Sequence, residues 1–233
     1  MNYMVKLNDK QKEAVEFMDG PCLVLACAGS GKTKVLTERI VNLINNGVSP
    51  YNILAITFTN KAAREMRSRV ENSTREEADK IFIGTFHSFG LKVLRENASV
   101  LGYSNNVTIL DRDDVNTLIK RFMKELNLDS DMYPVKSILN KISFAKNEGL
   151  SPEEYEKFAK APLDSAACKI YKMYSSALKR SNSVDFDDLL IMPLEIFKKD
   201  KSVLEKYQEH YKYILVDEYQ DTNMVQYDLC KIL

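Results

Sequence analysis

Cys22-Leu23-Val24-Leu25-Ala26-Cys27-Ala28-Gly29-Ser30-Gly31-Lys32-Thr33 is the stretch on which the fold turns. An apolar run leads into a glycine-punctuated loop, and the loop leads into a helical pattern carried by Val35, Leu36, Ile40, Leu43 and Ile44. Strand, loop and helix in that order make Ala26-x-x-x-x-Gly31-Lys32-Thr33 a Walker A phosphate loop, with Ala where the pattern begins with Gly. Each part has a chemical reason. Gly29 and Gly31 let backbone N–H groups turn inward onto phosphate oxygens. The helix N-terminus adds positive potential. Lys32 places a point charge near the β- and γ-phosphates, and the Thr33 hydroxyl can enter the shell of Mg²⁺.

Outward from the loop, three further apolar runs read as strands covered on both faces: Ile53–Thr59, Ile81–Phe86 and Tyr213–Asp217. Val107–Leu110 is a weaker candidate. Their alternation with longer helical patterns predicts an α/β fold, a parallel sheet flanked by helices. From about Asp111 to Asn182 only helical periodicity appears. Val115, Leu118, Ile119 and Phe122 share one face, as do Ile138, Ile142 and Ala145, and then Tyr171, Tyr174 and Leu178. Ser151-Pro152-Glu153-Glu154 reads as a helix start, with a Ser cap, Pro at the first position and acids in the first turn. The division that follows is an α/β domain over 1–110 and 183–233 and an inserted all-α subdomain over 111–182, with Tyr213–Asp217 rejoining the first sheet.

That returning strand ends in Asp217-Glu218. Buried acids are expensive unless paired, so two at a strand end call for a reason. Beside a phosphate loop, Asp217 would hold Mg²⁺, and Glu218 would orient and deprotonate an attacking water. The competing reading is a carboxylate pair capping the next helix. With the phosphate loop in the same chain, a nucleoside triphosphate site is the better reading.

The 233 residues are 45% hydrophobic and 28% charged, which excludes a disordered chain, a collagen and a coiled-coil rod. Lys and Arg number 33, as do Asp and Glu, so no global charge draws the chain to nucleic acid. Binding of that kind must come from a local basic patch or from stacking. No apolar run approaches the ~20 residues of a membrane span, and the first twenty residues hold no signal-peptide core. Cys22, Cys27, Cys168 and Cys230 form no CxxC pair and have only two histidines for company. They read as small buried apolar residues of a reducing compartment, and the expected location is cytoplasmic.

Six segments together resemble the N-terminal part of the UvrD/PcrA/Rep group of superfamily-1 DNA helicases. They are Leu7-Asn8-x-x-Gln11-x-x-Ala14-Val15, the phosphate loop, and Ile56-Thr57-Phe58-Thr59-Asn60-Lys61-Ala62-Ala63-x-Glu65-Met66. Then come Gly84-Thr85-Phe86-His87-Ser88-Phe89, Asp185-Phe186-Asp187-Asp188-Leu189, and Val216-Asp217-Glu218-Tyr219-Gln220-Asp221-Thr222-Asn223. They stand in family order over nearly the whole chain; Cys27 departs from the pattern, which usually has Gly there.

The resemblance implies a RecA-like ATP-binding domain with a helical insertion, using ATP and Mg²⁺. Catalysis would fall to Glu218, Asp217, Lys32 and Gln220, the last sensing the γ-phosphate. Nucleotide would be held by Gln11, Ala28, Gly29, Ser30, Gly31, Lys32, Thr33, Lys34 and Arg39, and the metal by Thr33 and Asp217. Gln11 would read the adenine, yet Asn8-x-x-Gln11 is equally a capping-box spacing. Arg39 lies near the base or is a solvated surface residue. Single-stranded DNA would meet Phe58, Thr59, Asn60, Thr85, His87 and Phe186, where aromatic stacking tolerates any base. Each has a plainer alternative: Phe58 as core, His87 as a structural imidazole, Asp185 as a helix cap beside Phe186.

The implied activity is an ATP-dependent motor moving 3′ to 5′ on single-stranded DNA and acting on single-strand/duplex junctions in repair or replication. The family pattern continues past Leu233 with a third motif and a second RecA-like domain, so the chain reads as a fragment that binds nucleotide, hydrolyses it slowly and does not unwind. Two alternatives stand beside this: a nucleotide-responsive DNA-binding module without turnover, and the motor of a RecB- or AddA-like helicase–nuclease. In the family a further strand lies between the phosphate-loop strand and the Asp217 strand. Without it, the fragment is expected either to self-associate or to hold Asp217 away from Lys32.

Overall fold

The computed structural model describes residues 7–27 and 29–233. In chain order the elements are α1 (Asp9–Glu16), α2 (Lys32–Asn45), β1 (Ile53–Thr57), α3 (Asn60–Thr74), β2 (Phe82–Thr85), α4 (Phe86–Asn97) and β3 (Thr108–Ile109). There follow α5 (Arg112–Glu125), α6 (Val135–Asn147), α7 (Pro152–Glu156), α8 (Pro162–Arg180), β4 (Ser183–Val184), α9 (Asp188–Lys199), α10 (Lys201–His210), β5 (Tyr213–Val216) and α11 (Met224–Ile232). The chain forms two compact units. One takes the chain up to Phe86 together with Lys206–Gln220, the other His87–Glu205 with Asp221–Leu233.

The first unit is a mixed α/β body around a parallel sheet in the order β2-β1-β5. β1 is central and wholly buried, which is why Ile53-Leu54-Ala55-Ile56 carries no polar alternation. Ile53, Ala55, Ile83 and Leu215 pack with Ile40 and Leu43 of α2 and with Ala63, Met66 and Val70 of α3. α1 starts with a capping box between Asn8 and Gln11, one of the two readings of that spacing.

The expected strand Cys22–Cys27 does not form. The segment joins no ladder, and its side chains are exposed, Leu25 at 86% and Leu23 at 69%. Its apolar pattern is that of a strand, but a strand is completed by a neighbour. Among the described residues no strand lies on the side of β5 away from β1, so Cys22–Cys27 has no strand to form a ladder with. The same cause overturns two other expectations. Cys22 and Cys27 are exposed instead of buried, and β5 is only partly covered.

The second unit is mainly helical. Ile119, Phe122, Ile138, Ile142, Ala145, Ile170, Tyr171, Tyr174 and Leu178 make one core from α5, α6 and α8, the faces that periodicity marks out. Ser151 caps α7 in a capping box with Glu154. β3 and β4 pair in parallel, with Ile109 opposite Val184. α4 and α9 meet at Gly90, where an added Cβ would stand 1.7 Å from the carbonyl oxygen of Leu189. Backbone, which cannot swing aside as a side chain would, blocks that position. Gly90→Ala is therefore expected to cost at least the ~1–3 kcal/mol of ordinary overpacking. The midpoint of urea unfolding reads this directly, and an unshifted midpoint would mean that the two helices separate freely.

Candidate functional site

Parallel pairing puts the C-terminal ends of the three strands of the first unit side by side, with Thr57 opposite Thr85 and Ile56 opposite Val216. Thr85 closes β2, Phe58 follows β1 and Asp217 follows β5. Three candidates from distant parts of the chain thus share one sheet edge, the edge at which open parallel α/β sheets bind ligands.

The phosphate loop meets that edge at the first turn of α2. Gly29 and Gly31 have φ of 76° and 86°, the left-handed region that glycine enters freely. Gly31 has a second reason to lack a side chain, since a Cβ would come within 3.2 Å of Gln11 Nε2. The N–H and hydroxyl of Ser30 both donate to the Cys27 carbonyl, at 3.2 and 2.6 Å, and close the turn. Among the described residues no side chain caps the N-terminus of α2. Ala28, a candidate nucleotide contact, lies outside the described residues.

The hydroxyl of Thr33 donates to Asp217 Oδ2 at 3.2 Å. Asp217 is only 6% exposed, and its own N–H donates to the Ile56 carbonyl at 2.9 Å. Glu218 Oε2 stands 3.8 Å from Lys32 Nζ and accepts a 2.6 Å hydrogen bond from Gln220 Nε2. Glu218 has φ of 49°; the other described non-glycine residues with positive φ, Asn127 and Asn182, are of a type that tolerates it. A left-handed Glu costs on the order of 1–3 kcal/mol, and strain of this kind collects at functional sites. Here it breaks the strand just after Asp217, and both carboxylates end beside the first turn of α2.

Of the two expected outcomes, self-association or separation of Asp217 from Lys32, this geometry speaks against the second. The β1–β5 ladder fixes Asp217 without needing a strand on the far side of β5, and Thr33, next to Lys32, bonds it.

The remaining nucleotide candidates hold the loop's surroundings together. Gln11 Nε2 donates to the Ser30 carbonyl at 2.9 Å while its Oε1 accepts from the Asn8 N–H in the capping box. Arg39 donates to the Ala14 carbonyl at 2.9 Å and lies over the Phe17 ring, tying α2 to α1. It is therefore not a solvated arginine. Lys34 sits partly buried in the first turn of α2.

Of the DNA candidates in this unit, Phe58 is half-buried and meets Phe86 edge-on at 5.7 Å. Thr59 and Asn60 are exposed, and Thr59 Oγ1 accepts the Ala62 N–H, which starts α3. Thr85 is buried.

The second unit brings the other two together. His87 and Phe186 stack with ring centroids 4.0 Å apart and planes at 23°, although 98 residues separate them in sequence. Burial pushes the His87 imidazole below its ordinary pKa of 6.5. Phe186 remains 60% exposed.

Sequence reasoning missed the charge cluster on the two aspartates that flank Phe186. Lys146, buried in α6, places its ammonium 2.7 Å from Asp185 Oδ2 and 2.7 Å from Asp188 Oδ1. Tyr174 donates to the same Asp185 oxygen at 2.8 Å. Burial by itself would depress the Lys146 pKa, but the two carboxylates outweigh it and hold the ammonium above its usual range. Asp188 is pushed up to about 6, first by burial and then by Asp185, against the pull of Lys146. A signal for this cluster was present. Lys146 stands at i+4 from Ile142 and i+8 from Ile138, on the apolar stripe of its helix.

The family model described as UvrD/REP helicase N-terminal domain matches residues 7–233. Proteins named ATP-dependent DNA helicase PcrA are similar over the whole chain: that of Bacillus subtilis (strain 168) is 48% identical over 239 residues, covering 100% of this chain and 32% of the relative. The one from Leuconostoc citreum is 45% identical over 229 residues, covering 97% and 31%. The chain thus spans about a third of the length of the curated relatives it matches. With the phosphate loop, the paired carboxylates and a match that runs from residue 7 to residue 233, the chain belongs to the UvrD/REP helicase N-terminal domain family.

Proposed function

We propose that this chain is the nucleotide-binding motor part of an ATP-dependent DNA helicase that moves 3′ to 5′ along single-stranded DNA. The hydrogen bond from Thr33 to Asp217 carries the reading, because it joins two motifs 184 residues apart into one site. Thr33 and Asp217 offer hard oxygen donors 3.2 Å apart, a set that fits Mg²⁺ with its other positions left to water and phosphate. Bound Mg·ATP supplies the reactive phosphoryl group.

The chain's own residues do the rest. Gly29, Ser30, Gly31 and Lys34 shape and flank the loop, Lys32 neutralises phosphate charge, and Gln11 and Arg39 border the base. Glu218 takes the proton of the attacking water, and Gln220, already bonded to Glu218, registers the γ-phosphate. Phe58, Thr59, Asn60, Thr85, His87 and Phe186 form the contacts to single-stranded DNA.

A transition-state arginine supplied from outside the site is worth ~10³–10⁵ in rate, so the 233 residues alone would bind nucleotide, hydrolyse it slowly and not unwind. In the whole protein, single-stranded DNA is expected to raise ATP turnover, and duplexes with a 3′ tail to be unwound in preference to those with a 5′ tail. Turnover indifferent to DNA would overturn the motor reading, and the opposite tail preference would overturn the polarity.

A further inference from the structure

Phe186 sits in a turn whose other side chains all point into the protein. Asp185 and Asp188 close it reciprocally: the Asp188 N–H donates to Asp185 Oδ1 at 3.0 Å, and the Asp185 N–H donates to Asp188 Oδ2 at 2.9 Å. Asp187 is hydrogen-bonded to Ser143 and Asn147 of α6. Asn147 in turn accepts from Asn223 Nδ2 at 2.7 Å, just before α11. Lys146, on the same α6, pairs with both Asp185 and Asp188, its side chain 3% exposed. Only the Phe186 ring turns outward, one face on His87.

A lysine at this place is a poor choice for stability alone. Desolvating an ammonium and two carboxylates offsets most of their attraction, and well-packed apolar residues do as well or better. What an ammonium between two carboxylates provides is a fixed geometry, because each 2.7 Å contact constrains one end of the turn. Tyr174 holds Asp185 from a third helix, α8, so the turn cannot pivot about the lysine.

We propose that Lys146 is a positioning residue for DNA binding, clamping Asp185 and Asp188 so that the Phe186 ring is held ready to stack on a base. This rests on the reading of Phe186 as a DNA contact. Lys146 touches no DNA itself. Base–aromatic stacking contributes about 1–3 kcal/mol, so releasing the ring is expected to weaken single-stranded DNA binding about fivefold or more.

The test is a double-mutant cycle in the whole protein, using an oligonucleotide that carries 2-aminopurine. Lys146→Met is expected to raise the DNA dissociation constant about fivefold or more and to remove the stacking quench. Mg·ADP affinity and DNA-free ATP turnover should stay as in the parent. Lys146→Met should add nothing in the Phe186→Ala background, because the ring it positions is gone. If a lone Lys146→Met leaves a buried pair of carboxylates that prevents folding, Lys146→Met with Asp188→Asn removes one charge of each sign and serves in its place.

Additive losses, or unchanged quenching and affinity with an active Phe186 contact, would show Lys146 to be structural only and overturn the proposal. No effect of Phe186→Ala would instead overturn the DNA-contact reading beneath it. The two failures are distinguished by that single variant.

Discussion

Glu218→Gln in the whole protein is expected to lower ATP turnover about 10²–10⁴-fold, the usual contribution of a positioned general base. Mg·ADP binding should remain within about twofold, since the amide keeps the shape and bulk of the carboxylate. The expectation follows from position. Glu218 follows the buried Asp217 at the end of β5, in a left-handed conformation that turns the chain toward the first turn of α2. Its Oε2 faces Lys32 at 3.8 Å and Gln220 at 2.6 Å, so the carboxylate is aimed at the mouth of the phosphate loop. An amide can still accept a hydrogen bond there but cannot take a proton from water. Measuring turnover alongside nucleotide binding separates the two roles. Unchanged turnover would end the assignment of Glu218 as base, and lost nucleotide binding would make it a ligand-site residue instead.

Lys32→Ala is expected to weaken Mg·ADP binding about a hundredfold. A charge-assisted hydrogen bond is worth about 1.5–3 kcal/mol, and a hundredfold corresponds to about 2.7 kcal/mol. Removing Lys32 also leaves Glu218 facing the loop without its cation, which adds like-charge repulsion against phosphate. Titration of labelled Mg·ADP into the 233-residue chain, with circular dichroism to confirm folding, reads the effect. Equal affinity in the variant would place the phosphates away from this loop. Absence of binding in a folded parent chain would mean that the loop needs a ladder partner for Cys22–Cys27 before it can hold nucleotide.

The turn through Gly29 and Gly31 was legible because its requirements are local. The two glycines are set by the sign of φ and α2 by its own apolar stripe, and Lys32 and Thr33 carry the phosphate and metal chemistry proposed for the loop. β1, β2 and β5 were legible for a related reason: strands buried in a parallel sheet must be apolar throughout. The helix start at Ser151 lies within four residues and was equally plain, whereas the capping box at Asn8 was one of two readings of its spacing.

Cys22–Cys27 carries the same kind of signal as β1 and yet forms no strand. Apolar composition establishes that a segment can be buried, but the hydrogen bonds of a strand belong to two segments at once. Whether the second is there is not written in the first. The same holds for the meeting of Thr33 with Asp217, of His87 with Phe186, and of Gly90 with Leu189.

Lys146 is the sharpest case. Its place on an apolar stripe marked it as buried, but a buried ammonium has no meaning until its counter-charges are known, and those lie 39 and 42 residues on. The glycine turn of the loop, the apolar faces and the helix starts could be read along the chain, because all of them depend on neighbours a few residues away. The tertiary structure alone decided which strands found partners, how Asp217 and Glu218 reach the loop, and what holds Phe186. Those outcomes depend on pairings between groups far apart in the chain, and no single segment encodes a pairing.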